Sequence, residues 1–131
     1  MTEDRKHLVK LLDSLTREIL WVREQGRCYV CEKEAHEPVH LVTRDANAVR
    51  WDTHAEGNVH LGCRTCHDSD HTLGTKLFID KFIKNRGEEA WKEIRQRSHV
   101  HGSFNEDALR MIAQQMVDTM HAVKLNNRAL V

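Results

Sequence analysis

The stretch Asn58-Val59-His60-Leu61-Gly62-Cys63-Arg64-Thr65-Cys66-His67-Asp68-Ser69-Asp70-His71 decides how this chain is read. Asn58-Val59-His60-Leu61 is short, carries a β-branched residue and predicts a strand. Cys63 and Cys66 form a CxxC pair, and His67 follows directly, where a helix is expected to begin. His71 lies four residues on, so both rings fall on one helical face, one turn apart. Two imidazoles at that spacing are a standard way to hold a divalent ion.

Upstream, Cys28-Tyr29-Val30-Cys31 supplies a second CxxC pair, separated from Cys63 by 31 residues. Cys28, Cys31, Cys63 and Cys66 together make a closed tetrahedral set of four thiolates, which suits a structural zinc. A thioredoxin-like redox pair accounts for only one of the two motifs, and buried free thiols account for neither spacing. Cys63-Arg64-Thr65-Cys66-His67 also satisfies the CxxCH haem-attachment pattern, but haem attachment would orphan Cys28 and Cys31 and requires export. Met1-Thr2-Glu3-Asp4-Arg5-Lys6 runs into an amphipathic pattern, not a signal-peptide apolar run. No run of about 18 apolar residues exists to span a membrane. A cytoplasmic, reducing location is expected, where paired cysteines are metal ligands more often than disulfides.

Further outward, Val39-His40-Leu41-Val42 predicts the other strand, with Pro38 just before it. Thr43 to Gly57 reads as a polar loop anchored by Trp51. Leu8, Leu11, Leu12, Leu15, Ile19 and Val22 place one buried stripe on a helix from His7 to Gln25, stopped by Gly26. Leu77, Phe78, Phe82 and Ile83 predict a helix ended by Gly87, and Ala90, Trp91 and Ile94 a shorter one. Asn105 is the expected N-cap of a last helix carrying Leu109, Ile112, Met116, Val117, Met120 and Val123. Trp21, Trp51 and Trp91 are read as core anchors in preference to base-stacking platforms. Met116 and Met120 form a stripe for packing or for a homodimer through the C-terminal helix.

At 131 residues this is one domain, divided as an N-terminal helix (1–26), a four-cysteine core (27–75) and a helical C-terminal part (76–131). The fold class is α+β, mostly helical. Mean hydropathy is −0.63, so a small core that needs a metal staple is expected. Lys+Arg and Asp+Glu balance at 20 each, which restricts any nucleic-acid contact to a narrow phosphate track. Arg44, Arg50 and Arg64 near the hairpin are the candidates for it, and Lys76, Lys81, Lys84 and Arg86 read equally as a solvated face. Ten histidines supply candidate bases and ligands. His60 is read as packing or touching the site, and His54, His99, His101 and His121 as surface residues.

The order CxxC, His40, Asn58, CxxC-His67 resembles the HNH, or ββα-metal, nucleases. The similarity is greatest to the Rap (NinG) recombination endonucleases of lambdoid phages. It is carried by Arg27-Cys28-Tyr29-Val30-Cys31, His40-Leu41-Val42-Thr43-Arg44, Arg50-Trp51-Asp52, Asn58-Val59-His60, Cys63-Arg64-Thr65-Cys66 and Gly87-Glu88-Glu89-Ala90. It covers roughly residues 10 to 96. The resemblance implies a zinc-stapled, treble-clef-like ββα-metal core and metal-dependent cleavage of DNA, with branched or recombination intermediates among the substrates. It assigns His40 as general base, Asn58 as its brace, and His67 as a ligand of a catalytic divalent ion such as Mn2+, Mg2+, Co2+ or Ni2+. His71 matches a second helical ligand seen in colicin-type DNases. Val39 stands where many of these enzymes carry Asp or His, leaving the shell to water, phosphate oxygens, His36 or Glu37. A rival reading is a non-catalytic, zinc-dependent nucleic-acid-binding module. A third is a structural partner that dimerises through its last helix.

Overall fold

The computed structural model describes residues 3–43, 46–100 and 104–129. The chain is α+β and mostly helical. Its elements run α1 (Glu3–Arg23), β1 (Glu37–His40), α2 (Asn47–Arg50), β2 (Val59–Gly62), α3 (Arg64–Thr72), α4 (Leu77–Arg86), α5 (Glu88–Ser98) and α6 (Glu106–Ala129). β1 and β2 form an antiparallel pair in which Glu37 faces Gly62 and His40 faces Val59. Among the described residues no helix is long and apolar enough to cross a membrane.

The hairpin sits two residues earlier on its first strand than the sequence predicts. The cause is Asn58. Its side chain accepts from the Val42 N–H at 2.7 Å and donates to the Val42 carbonyl at 2.9 Å, so a side chain, and not a ladder, satisfies the backbone there. Pro38 consequently lies inside β1, opposite Leu61, a position that an edge strand tolerates. The expected polar loop contains the one-turn helix α2, whose Val49 is buried with Phe82 and Ile94. Helix α3 begins before Cys66, because Cys63 caps it: its sulfur accepts from the Cys66 N–H at 3.4 Å. Asn105 caps α6 as expected, its Oδ1 accepting from the Ala108 N–H at 2.8 Å.

Three apolar clusters hold these elements. Leu20, Val39, Val59, Leu61 and Phe78 close around Cys28 and Cys66. Leu12, Leu15 and Ile19 of α1 pack on Leu109, Ala113 and Met116 of α6, with Trp51 inserted. Met116 and Met120 therefore face α1 within the chain. Trp21 departs from its expected role as an anchor, since it is 49% exposed. The buried positions of α1 are Leu12, Leu15, Thr16, Ile19 and Leu20, and at 3.6 residues per turn Trp21 turns away from Ile19. Trp51 is buried as expected, and Trp91 packs on the third cluster.

Candidate functional site

The four cysteines come together although they lie in two distant segments. Cys28 and Cys31 sit on a tight turn in which the Cys28 N–H donates to the Lys33 carbonyl at 2.7 Å, the Glu32 N–H to the Cys28 carbonyl at 2.9 Å, and Glu32 takes a φ of 65°. Cys63 and Cys66 occupy the cap and first turn of α3. All four sulfurs lie within 4.8 Å of one another, and Cys31 Sγ is 3.6 Å from Cys63 Sγ. Tetrahedral zinc with Zn–S bonds of about 2.3 Å sets its sulfurs about 3.8 Å apart, so the donor set fits that ion. Burial, followed by the neighbouring thiols, pushes the Cys66 thiol well up. At Cys63 burial acts upward but the Cys66 backbone N–H and neighbouring thiols outweigh it, and the thiol falls below its ordinary value. All four sulfurs could be thiolates together only with a cation among them, and their clustering gives them the geometry to hold one.

A cleft of about 330 Å3 is lined by Asp13, Thr16, Arg17, Pro38, His40, Thr43, His67 and His71. It brings together three of the histidines singled out from the sequence. His40 comes from the end of β1, and its Nε2 lies 2.9 Å from the Arg50 carbonyl. A carbonyl only accepts, so a neutral His40 carries its proton on Nε2 and its lone pair on Nδ1. Asn58 is fully buried and donates a further hydrogen bond to the Val49 carbonyl at 3.2 Å. It thereby ties the end of the hairpin to α2, the element that ends in Arg50 and holds His40.

His67 and His71 project from one face of α3, their Nε2 atoms 2.9 Å apart. Two metal–nitrogen bonds of about 2.1 Å at right angles would place their nitrogens about 3 Å apart. His67 Nδ1 lies 3.0 Å from Glu37 Oε2. The carboxylate accepts, which puts the proton on Nδ1 and the lone pair on Nε2, the tautomer that a metal-ligating histidine needs. Arg64 grips the other oxygen of Glu37 at 3.0 Å. The His67 hydrogen bond holds the Glu37 carboxyl below the usual range; burial opposes it, and the Arg64 guanidinium adds to the lowering. Among the described residues no third histidine, cysteine or carboxylate joins His67 and His71 closely enough to complete a shell. His36 bonds to Glu34 at 3.0 Å, and Glu37 sits behind His67.

Val39 and His60 face each other across the pair, as do His40 and Val59. Directly paired residues share a face, so His60 lies on the face opposite His40. It is buried, bonded to Glu24 at 3.1 Å and to the Gly57 carbonyl at 2.8 Å, and stacked on Tyr29. His60 packs.

The three arginines expected to touch DNA differ in setting. Arg50 is only 15% exposed and pairs with Asp13 at 2.9 Å, so it is turned inward, away from the solvent where a phosphate would approach. Arg64 is 79% exposed beside Glu37. Arg44 lies outside the described residues, as does His101. Of the surface histidines, His54, His99 and His121 are exposed.

Sequence reasoning missed the contribution of α1. Asp13, Thr16 and Arg17 form one wall of the cleft, and Asp13 accepts from both Arg50 at 2.9 Å and Trp51 Nε1 at 2.9 Å. The available signal was three polar residues at i, i+3 and i+4 beside the apolar stripe. Compared with known families, curated proteins and solved structures, the chain gives no significant match to any of them.

Proposed function

We propose that this chain is a metal-dependent DNA endonuclease of the HNH, ββα-metal kind, with a structural zinc at Cys28, Cys31, Cys63 and Cys66. The observation that carries the reading is that His40, His67 and His71 line one cleft with complementary tautomers. His40 presents Nδ1 as a base, and His67 presents Nε2 as a ligand. The chain order of zinc turn, β1, β2 and α3 supports it, because a hairpin and a helix then flank one cleft.

In the proposed reaction His40 Nδ1 takes a proton from water, and the water oxygen attacks the phosphorus as the bond to the leaving sugar oxygen breaks. A divalent cation held by His67 and His71 would neutralise the phosphoryl oxygens and the leaving alkoxide. Glu37 orients His67, and Asn58 with Arg50 orients His40. His67 and His71 would contribute two nitrogens to that cation, leaving the rest of its shell to water and substrate oxygens.

The binding-module reading draws on one observation: among the described residues no third protein ligand stands beside His67 and His71. A pure binder has no use for the His40–Arg50 hydrogen bond or the Glu37–His67 pair. The deciding experiment is incubation of the zinc-loaded protein with supercoiled plasmid and with a synthetic four-way junction, across manganese, cobalt, nickel and magnesium. Cleavage by the wild type that disappears in His40→Ala supports the nuclease. Tight binding with no cleavage under any ion supports the module.

A further inference from the structure

A half-exposed tryptophan lies next to the histidine cleft. Arg17 lines that cleft and also a second, shallower cleft of about 410 Å3 formed with Glu18, Trp21, Val22, His36 and Lys124. Arg17 and Trp21 are four residues apart on α1, so they share a face about 6 Å apart along the axis. A second seam joins the two clefts, since His36 is two residues from Pro38, which lines the first. One side of the indole lies against Gly26: a Cβ there would stand 3.2 Å from its Cε2 and Nε1 atoms, and Gly26 takes a φ of +68° that suits glycine.

We propose that Trp21 is a stacking platform for an unpaired base next to the cleaved phosphate, with Arg17 and Lys124 contacting the flanking phosphates of that strand. The inference rests on the nucleic-acid reading above and deepens it, naming single-stranded nucleotides as part of the substrate. Three features favour a nucleic-acid strand as the occupant. The patch shares Arg17 with the cleft, it presents a half-exposed indole, and its two cations, Arg17 and Lys124, outnumber the one acid, Glu18. Stacking on an aromatic ring tolerates any base, and electrostatics follow the backbone. An intact duplex offers no free base face to Trp21.

The test titrates the full-length, zinc-loaded protein with a single-stranded oligonucleotide and with a blunt duplex of the same length, with no other divalent ion. Intrinsic tryptophan emission and anisotropy of a labelled strand are both followed. The single strand is expected to quench emission, and Trp21→Phe is expected to lose most of the quenching while keeping most of the affinity. Trp21→Ala should weaken single-strand binding about tenfold and duplex binding less than twofold, with zinc content and melting temperature unchanged. Arg17→Gln should weaken single-strand binding in a way that high salt mimics. Equal single-strand affinity in wild type and Trp21→Ala overturns the inference while leaving the nuclease reading intact if plasmid is still cut. Emission that changes with protein concentration and not with oligonucleotide also overturns it, assigning the patch to a second copy of the chain. Failure of both nucleic acids to bind removes this inference and the proposed function together.

Discussion

His40 Nε2 lies 2.9 Å from the Arg50 carbonyl, and that backbone oxygen is itself held by side chains far away in sequence. Asp13 on α1 grips the Arg50 guanidinium and the Trp51 indole N–H, while Asn58 fixes Val49. His40, the proposed base, is thus oriented by a relay from α1 through α2. His40→Ala should lower DNA cleavage by about 10²–10⁴-fold with zinc content and melting behaviour nearly unchanged. Asp13→Asn should act through position: a smaller fall in turnover, a changed pH profile and little change in substrate affinity. A wild-type rate in His40→Ala would place the base elsewhere.

Zinc and folding should be inseparable. Cys28 is buried in the first core cluster, and Cys63 both joins the sulfur group and caps α3. Cys28→Ser or Cys63→Ser should therefore lose one zinc per chain together with the cooperative melting transition, because binding to such a site supplies folding free energy directly. Measured by metal analysis and thermal denaturation, a metal-free variant with a normal transition would refute the four-cysteine site.

Acid stability should depend on Glu24. Burial raises its carboxyl pKa, but hydrogen bonds from His60 and Arg23 outweigh that and hold it below the ordinary value of 4.5. Because the folded value is the depressed one, the stabilisation is present above the unfolded carboxyl range and is lost as pH falls through the folded value. Glu24→Gln should cost about 1–3 kcal/mol at neutral pH, and the gap from wild type should narrow below about pH 4.5. Melting curves of both proteins between pH 7 and 3.5 check this. A gap that stays constant over that range would show that Glu24 does not stabilise through its charge.

The four-cysteine frame and its neighbours were legible because their signal is spacing. CxxC pairs, a histidine after the last cysteine and another one turn on survive any uncertainty about element boundaries. The apolar stripes of α1 and α6 were equally legible through their helical period. What could not be read was the part made by single hydrogen bonds across distant segments. Asn58 replaces the ladder at Val42, which shifts the strand. The sulfur cap at Cys63 lies outside the usual capping residues and moves the start of α3. Helix α2 is one turn long and has no period to detect. The exposure of Trp21 depends on which side of α1 meets α6, and its residue type points to a core as readily as to a surface.

The choice of ion at the proposed catalytic site should follow from what surrounds His67 and His71. Two neutral nitrogens favour later first-row ions in the Irving–Williams order, whereas magnesium prefers oxygen ligands and near-octahedral geometry, and it gives up water reluctantly. Cleavage should therefore run faster with manganese, cobalt or nickel than with magnesium at equal concentration. An aspartate at position 39 would be the obvious way to add a hard oxygen, but the structure argues against it. Val39 is 5% exposed and pairs with His60 on the face away from His40. Its Cγ2 stands 2.6 Å from where a Cβ on Gly62 would lie, beside Phe78. Val39→Asp would place a carboxylate in that apolar layer and should cost at least about 3 kcal/mol without improving magnesium use. His71→Ala leaves the core intact and should raise the manganese concentration needed for half-maximal rate. Magnesium equal to manganese in the wild type, together with no effect of His71→Ala, would remove His71 from the ligand set.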